Sequence, residues 1–458
     1  MASGDATTLL TGFVILLIGL PASYVFGPLG GAGAPSQLLG MGAALWWVAN
    51  RVSRYRDKTI YRQPIRIAML AFVGCVLASY IAATIRPIDS TELRAADRGL
   101  LIVLAWLGIV VVCMDGIPTR ERLDTLLRRL AAAGGAMATL GLVQFETGRA
   151  WTNYLHIPGL AVNSVVGTVG QRDGVTRPFG TATHPIEFGV ALTMFLPIAL
   201  HYALVDTHRS KFRRWYPVAV LALAIPVSVS RSAILCTAVV LAFILPTLPN
   251  YMRKKAYAAM VVLGGFIYVS VPGMLGTFVG LFTGISNDTS AQSRTGSYGI
   301  AFEFIRASPI FGRGYATFLP TYHILDNQYL GTMIELGALG LAALLMLLLV
   351  GIGTGLQIRH RATDWETRQL AQALTATVAS AAAAYALFDA FSFAIIPGLL
   401  FLCLGCIAAL RRLEAEKAAG KRRRLAGDQP DPLPDRPDPG ASREPWTGPR
   451  QRVPDARP

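Results

Sequence analysis

Apolar stretches long enough to cross a bilayer recur along this chain almost from end to end, and a soluble fold has no core that could bury them all. Windows of ~20 apolar residues, the length that crosses hydrocarbon, predict helices over roughly 7–25, 34–50, 65–85, 99–114, 124–145, 185–204, 216–230, 232–249, 256–275, 328–352, 368–391 and 394–410. The expected fold class is an all-α integral membrane protein of about twelve transmembrane helices. Composition agrees, since 53% of the 458 residues are hydrophobic and only 15% charged. The rhythm breaks once: after the ninth stretch a polar segment of about fifty residues, 272–326, precedes the last three. A carrier rocking around a central site has little use for so asymmetric an insert. An enzyme acting on a membrane-bound substrate needs room for a second substrate, so the insert is where chemistry is expected.

The formal charge of +15 raises the question of nucleic acid, and the positions of the basic residues answer it. Arg51, Arg54, Arg56, Lys58 and Arg62 follow the second stretch, Arg120, Arg122, Arg128 and Arg129 the fourth, and Arg209, Lys211, Arg213 and Arg214 the sixth. Arg253 to Lys255, Arg359 to Arg368 and Arg411 to Arg424 continue the alternation. Basic loops on every second connection face the cytoplasm. The expectation is a multi-pass protein of the cytoplasmic (inner) membrane with both termini cytoplasmic. Its charge then serves topology and membrane lipids, with no nucleic-acid partner. The segments 146–184 and 272–326 fall on the far side.

The predicted organisation is a first helical region spanning residues 1–271 with an outer loop 146–184, an extracytoplasmic segment 272–326, a second helical region spanning residues 327–412 and a disordered cytoplasmic tail 413–458 rich in Pro, Asp and Arg. The N-terminal apolar run lacks a basic lead and a small-residue cleavage site, which reads as a retained first helix. All five cysteines fall in apolar stretches and read as small buried hydrophobes. The two halves share no repeated pattern, which argues against a two-half carrier.

Polar groups on the outer side are the candidate site. His184 and Glu187 open the sixth helix in RPFGTATHPIEFG, after Arg177. A turn and helix start with Pro185 at an early position explains that motif as well as a site does. Arg231, in IPVSVSRSAIL, stands alone between two apolar stretches with almost no loop, either snorkelling to headgroups or serving a function. In the insert, Arg294 lies in a stretch where Tyr298, Phe302 and Ile305 share a helical face, predicting an amphipathic helix along the membrane.

The order and setting of these arginines resemble the O-antigen ligase and polymerase superfamily of bacterial cell-envelope enzymes. The resemblance rests on SRSAIL (230–235), on the Arg294 helix running into SPIFGRGYATF (308–318), and on DNQYLGTMIELGALG (326–340). In the family the last motif begins with His followed by Asn, Ser or Gln, then nine residues and Gly-x-x-Gly. Asp326, Asn327, Gly337 and Gly340 hold that spacing here, so the departure falls on the family's histidine. The resemblance implies glycan transfer from an undecaprenyl-diphosphate-linked oligosaccharide to a glycan or lipid-glycan acceptor, inverting, with no cofactor, nucleotide sugar or metal. Arg231, Arg294 and Arg177 are expected to hold the diphosphate, because a guanidinium fork suits phosphate oxygens. Asp326 or the nearby His323 is expected to take the family histidine's place as base, although Asp326 at a helix start equally reads as an N-cap. Glu335 and Asp389 are charges at membrane depth and hence further candidates.

Two rivals belong to other classes. Multi-span glycosyltransferases that use lipid-phosphate sugars carry carboxylates in the first outer loop, and 21–34, PASYVFGPLGGAGA, has none. A flippase or exporter of lipid-linked oligosaccharide would also line a cavity with arginines, but would move the lipid-linked glycan unchanged.

Overall fold

A computed structural model of the protein describes residues 5–53, 63–163, 169–172, 175–270 and 289–425, with the backbone alone for 53, 171–172, 270, 289–297 and 421–425. The basic residues Arg54 to Arg62, the stretch 271–288 of the polar segment and the tail beyond 425 lie outside the described residues, as does the side chain of Arg294. The chain divides into a large unit, Met1–Glu414, and a small one, Ala415–Pro458, of which the described portion is the end of the last helix.

Thirteen helices are described: α1 (Ala6–Val14, continued by a π turn, Ile15–Gly19), α2 (Pro35–Ser53), α3 (Pro64–Ile85), α4 (Ser90–Gly116), α5 (Arg120–Thr147), α6 (Pro185–Val205), α7 (Lys211–Val227), α8 (Arg231–Ile244), α9 (Asn250–Ser270), α10 (Thr289–Ala307), α11 (Gln328–Arg361), α12 (Trp365–Tyr385) and α13 (Ile395–Leu425). Their starts are written in the sequence. The side chains of Asp5, Asp89, Thr119, Ser210, Ser230 and Asp364 each accept a first-turn backbone N–H, and proline leads α2, α3 and α6. Two short antiparallel pairs decorate the connections: β1 (Tyr24–Val25) with β2 (Ala161–Val162), and β3 (Gly170–Arg172) with β4 (Val175–Arg177).

A helix lies at each of the twelve predicted stretches. Among the described residues, six of them, α3, α4, α5, α6, α11 and α13, are long and apolar enough to cross a membrane. α12 is less apolar than those six. It is packed against α6, α8 and α11, so it can carry Thr and Ser where a lipid-facing helix would not. Thr377 donates to the Met194 carbonyl at 2.9 Å, and Ser380 pairs with Thr193 at 2.8 Å. The centre of the bundle is α13, apolar on every face and buried from Leu399 to Leu410, as a helix that is hydrophobic all round must be. Small residues let its neighbours close in. A Cβ on Gly398 would lie 2.7 Å from Leu17 of α1, and one on Gly405 2.7 Å from Cys113 of α4. The Trp106 ring stacks on Phe401 at 4.7 Å.

α10 sits beside the start of α11. Tyr298 and Phe302 are exposed, whereas Ala301, Phe304 and Ile305 turn inward onto Leu325, Leu330 and Ile334. Ala301 permits that close approach, which a larger side chain would block.

The tightest junction lies between 309–314 and the first turns of α11. Gly337 breaks α11 at φ 67°, ψ −168°, a region open to glycine alone. The freed backbone is satisfied from the neighbouring loop. Ala338 N donates to the Pro309 carbonyl at 2.9 Å, Arg313 N to Ile334 at 3.0 Å and Gly314 N to Glu335 at 3.0 Å. A Cβ on Gly337 would stand 2.3 Å from the Ile310 oxygen. We expect Gly337→Ala to cost on the order of 3 kcal/mol, combining backbone strain with overpacking. Melting of the purified full-length protein checks this, and an unshifted midpoint would contradict it.

Candidate functional site

One end of the bundle holds a cavity of about 840 Å³, and its walls come from segments far apart in sequence. Arg177 and His184 enter from the α5–α6 connection, Arg231 from the start of α8, and His323, Asp326 and Glu335 from the approach to α11 and its first turns. Arg98 of α4 and Asp389 of the α12–α13 connection complete the charged lining. These segments follow α3, α5, α7, α10 and α12, whereas the Lys and Arg clusters follow α2, α4, α6, α8, α11 and the apolar run of α13. Along the chain the segments that line the cavity thus alternate with the basic clusters.

Each wall is held by local bonds that the sequence encodes. Buried Gln144 of α5 pins the turn beside His184: its Oε1 accepts from Phe179 N at 3.1 Å and Gly180 N at 2.7 Å, while its Nε2 donates to the Gly180 carbonyl at 3.0 Å. His184 is the N-cap of α6, with Nδ1 accepting from Ile186 N at 3.1 Å. Burial, together with the Arg177 guanidinium, pushes the imidazole down to about 4, so it is neutral at pH 7. With Nδ1 committed as acceptor, the ring proton sits on Nε2, which can donate.

Glu187 is placed otherwise. It is buried behind the cavity, where Oε2 accepts from Thr183 N at 3.0 Å and Oγ1 at 3.1 Å, and Oε1 accepts from Ile395 N at 2.8 Å. Its carboxylate ties the start of α6 to the start of α13, and it does not line the cavity. Of the candidates with described side chains, it and Asn327 stand outside. Asn327 is the N-cap of α11, accepting from Leu330 N at 3.1 Å. The capping role that Asp326 was equally expected to fill thus belongs to its neighbour, and Asp326 turns to the cavity wall. Glu335 also lines the wall, with Oε1 accepting from Phe318 N at 3.2 Å. Arg294 lies on α10, but its side chain is outside the described residues.

Arg98 was overlooked in the sequence, where ADRGLLIV reads as the polar edge of an apolar stretch; a lone arginine at such an edge is the signal that marks it. Its guanidinium lies over Gly30, 3.2 Å from where a Cβ would stand. A second overlooked feature is an ion cluster beside the cavity. Glu92 of α4, buried, accepts from Arg86 at 2.6 Å and from Arg313 and Tyr322. The Arg313 guanidinium is held between the Phe304 and Tyr322 rings, at 4.8 and 5.0 Å. Arg313 of SPIFGRGYATF therefore fastens the segment that carries His323 and Asp326.

Residues 216–345 match the family model described as O-antigen ligase. No curated protein matches the chain significantly. The matched stretch takes in Arg231, Arg294, His323, Asp326 and Glu335 and leaves Arg98, Arg177, His184 and Asp389 outside it, so the cavity is completed by chain on both sides of the match.

Proposed function

We propose that the protein builds bacterial cell-envelope polysaccharide by transferring or polymerising a glycan from undecaprenyl diphosphate onto an acceptor hydroxyl, at the outer face of the cytoplasmic membrane. The observation that carries this reading is that Arg177, Arg231 and Asp326 line one cavity, on segments that alternate along the chain with the basic clusters. In this reading all twelve predicted stretches cross, both termini are cytoplasmic, and the cavity opens on the outer side.

The chemistry follows from the lining. The acceptor oxygen attacks the anomeric carbon from the face opposite the diphosphate, the carbon–oxygen bond to phosphate breaks, and its electron pair leaves with undecaprenyl diphosphate. Arg231 and Arg177, with Arg294 as the third expected arm, bind the phosphate oxygens and stabilise the charge that develops there. His184, neutral with a proton on Nε2, adds a donor. Asp326 takes the acceptor's proton as the bond forms, with His323 the alternative base. A carboxylate is an ordinary base in glycosyl chemistry. Permanent cations on the arginine side balance the leaving charge without a metal ion or cofactor.

Arg231→Ala and Asp326→Ala in the native host test this. Each is expected to lower envelope glycan by roughly 100-fold at normal protein level, the cost of losing a charge-stabilising donor or a base. Single repeat units accumulating on lipid would mark a polymerase, and long lipid-linked chains a ligase. Unchanged glycan and lipid-linked pools in both variants would sink the reading and favour a flippase.

A further inference from the structure

Two arginines of the cavity are preceded, two residues earlier, by a valine: Val175-Thr176-Arg177 on β4 and Val229-Ser230-Arg231 at the α7–α8 elbow. The two valines belong to one cluster. With Val227 and Ile267 they form a separate small apolar cluster, backed by Leu142 and Phe145 of α5. On β4, residues two apart share a face, so burial of Val175 in the cluster fixes where Arg177 emerges.

The elbow is held more unusually. Val229 has φ 47°, and a β-branched residue in the left-handed region is a genuine outlier. It follows the C-cap Ser228, and its N–H donates to the Pro226 carbonyl at 3.0 Å. That is the helix-end position glycine normally fills. Glycine would escape the steric penalty, yet a valine stands here, fully buried in the cluster. Space for the turn comes from Gly189 of α6, where a Cβ would lie 2.6 Å from Ser228 Oγ. Strain of this kind persists only where the surroundings over-determine it, and it gathers at functional sites.

Resting on the diphosphate reading above, we propose that the Val175–Val229 cluster is a shared anchor that fixes the spacing of the Arg177 and Arg231 guanidiniums, so that the two act as one clamp on a diphosphate. Val229 is then a positioning residue. Glycine at 229 would satisfy the backbone but release the elbow from the cluster. A clamp whose arms must be ordered on binding holds its ligand more weakly than one preset by packing.

The test uses the full-length protein in detergent with inorganic pyrophosphate as the probe, following affinity by calorimetry and folding by melting. Wild type is expected to bind pyrophosphate and Arg231→Ala to lose most of that affinity. Val229→Gly and Val175→Ala are each expected to weaken binding roughly tenfold, the scale of a small misplacement of a binding group. Val229→Gly should melt near wild type, because lost burial and relieved strain have opposite signs. The double variant should bind no more weakly than the weaker single one, since loosening the shared cluster once already frees the clamp. Should Val229→Gly fail to fold, Val175→Ala, which leaves the elbow backbone intact, decides alone. Valine variants that bind pyrophosphate like wild type, or weaken it multiplicatively in the double variant, would overturn the anchor while leaving the diphosphate reading in place. A wild type that does not bind pyrophosphate, or an Arg231→Ala variant that binds it equally, would remove the diphosphate reading and the clamp with it.

Discussion

The site depends first on how the backbone of 309–314 lies against the break in α11. At the break the carbonyls of Ile334 and Glu335 and the N–H groups of Ala338 and Leu339 bond to the loop, for example Gly314 N to Glu335 O at 3.0 Å and Ala338 N to Pro309 O at 2.9 Å. Each contributes roughly 1 kcal/mol, and together they set one register between loop and helix. Everything downstream to Asp326 is placed by that register, since Arg313 begins the run that ends on the cavity wall. The Gly-x-x-Gly spacing is thus a structural device. Gly337 supplies the dihedral angles and the close approach, and a Cβ on Gly340 would lie 2.0 Å from that of Leu336.

A second constraint is electrostatic. The segment after α10 carries a buried ion cluster in which one carboxylate, Glu92, answers two arginines and a phenol. Removing one partner of such a cluster costs far more than the cluster itself contributes, so its value lies in fixing one arrangement. It holds His323 and Asp326 opposite elements that are far away in sequence. The cavity that results sets guanidiniums from α4, β4 and α8 around the same space as the carboxylates of Asp326, Glu335 and Asp389. That pairing suits a reaction in which negative charge leaves on one side and a proton leaves on the other.

Much of the fold was legible because hydrophobic length is a strong signal: a helix lies at every predicted stretch. Burial was less legible. α12 carries Thr and Ser inside the protein, and α10 turns Ala301 onto α11, contacts made by neighbouring helices that a local periodicity does not contain. Within the site, Arg177, His184, Arg231, His323, Asp326 and Glu335 were named from sequence and line one cavity. Glu187 and Asn327 carry the same polar signal for a different reason, since both satisfy backbone N–H groups at helix starts. Arg98 escaped notice because its helix reads as a membrane span. Val229 escaped because a left-handed valine leaves no trace in composition.

The most direct measurement reconstitutes the purified full-length protein in vesicles with an undecaprenyl-diphosphate-linked glycan and an acceptor glycan, and follows released undecaprenyl diphosphate together with new glycosidic bonds. One molecule of undecaprenyl diphosphate released for each bond formed, abolished in Arg231→Ala, is the expected result. Lipid-linked glycan that crosses the vesicle membrane unchanged, with no undecaprenyl diphosphate released, would contradict it.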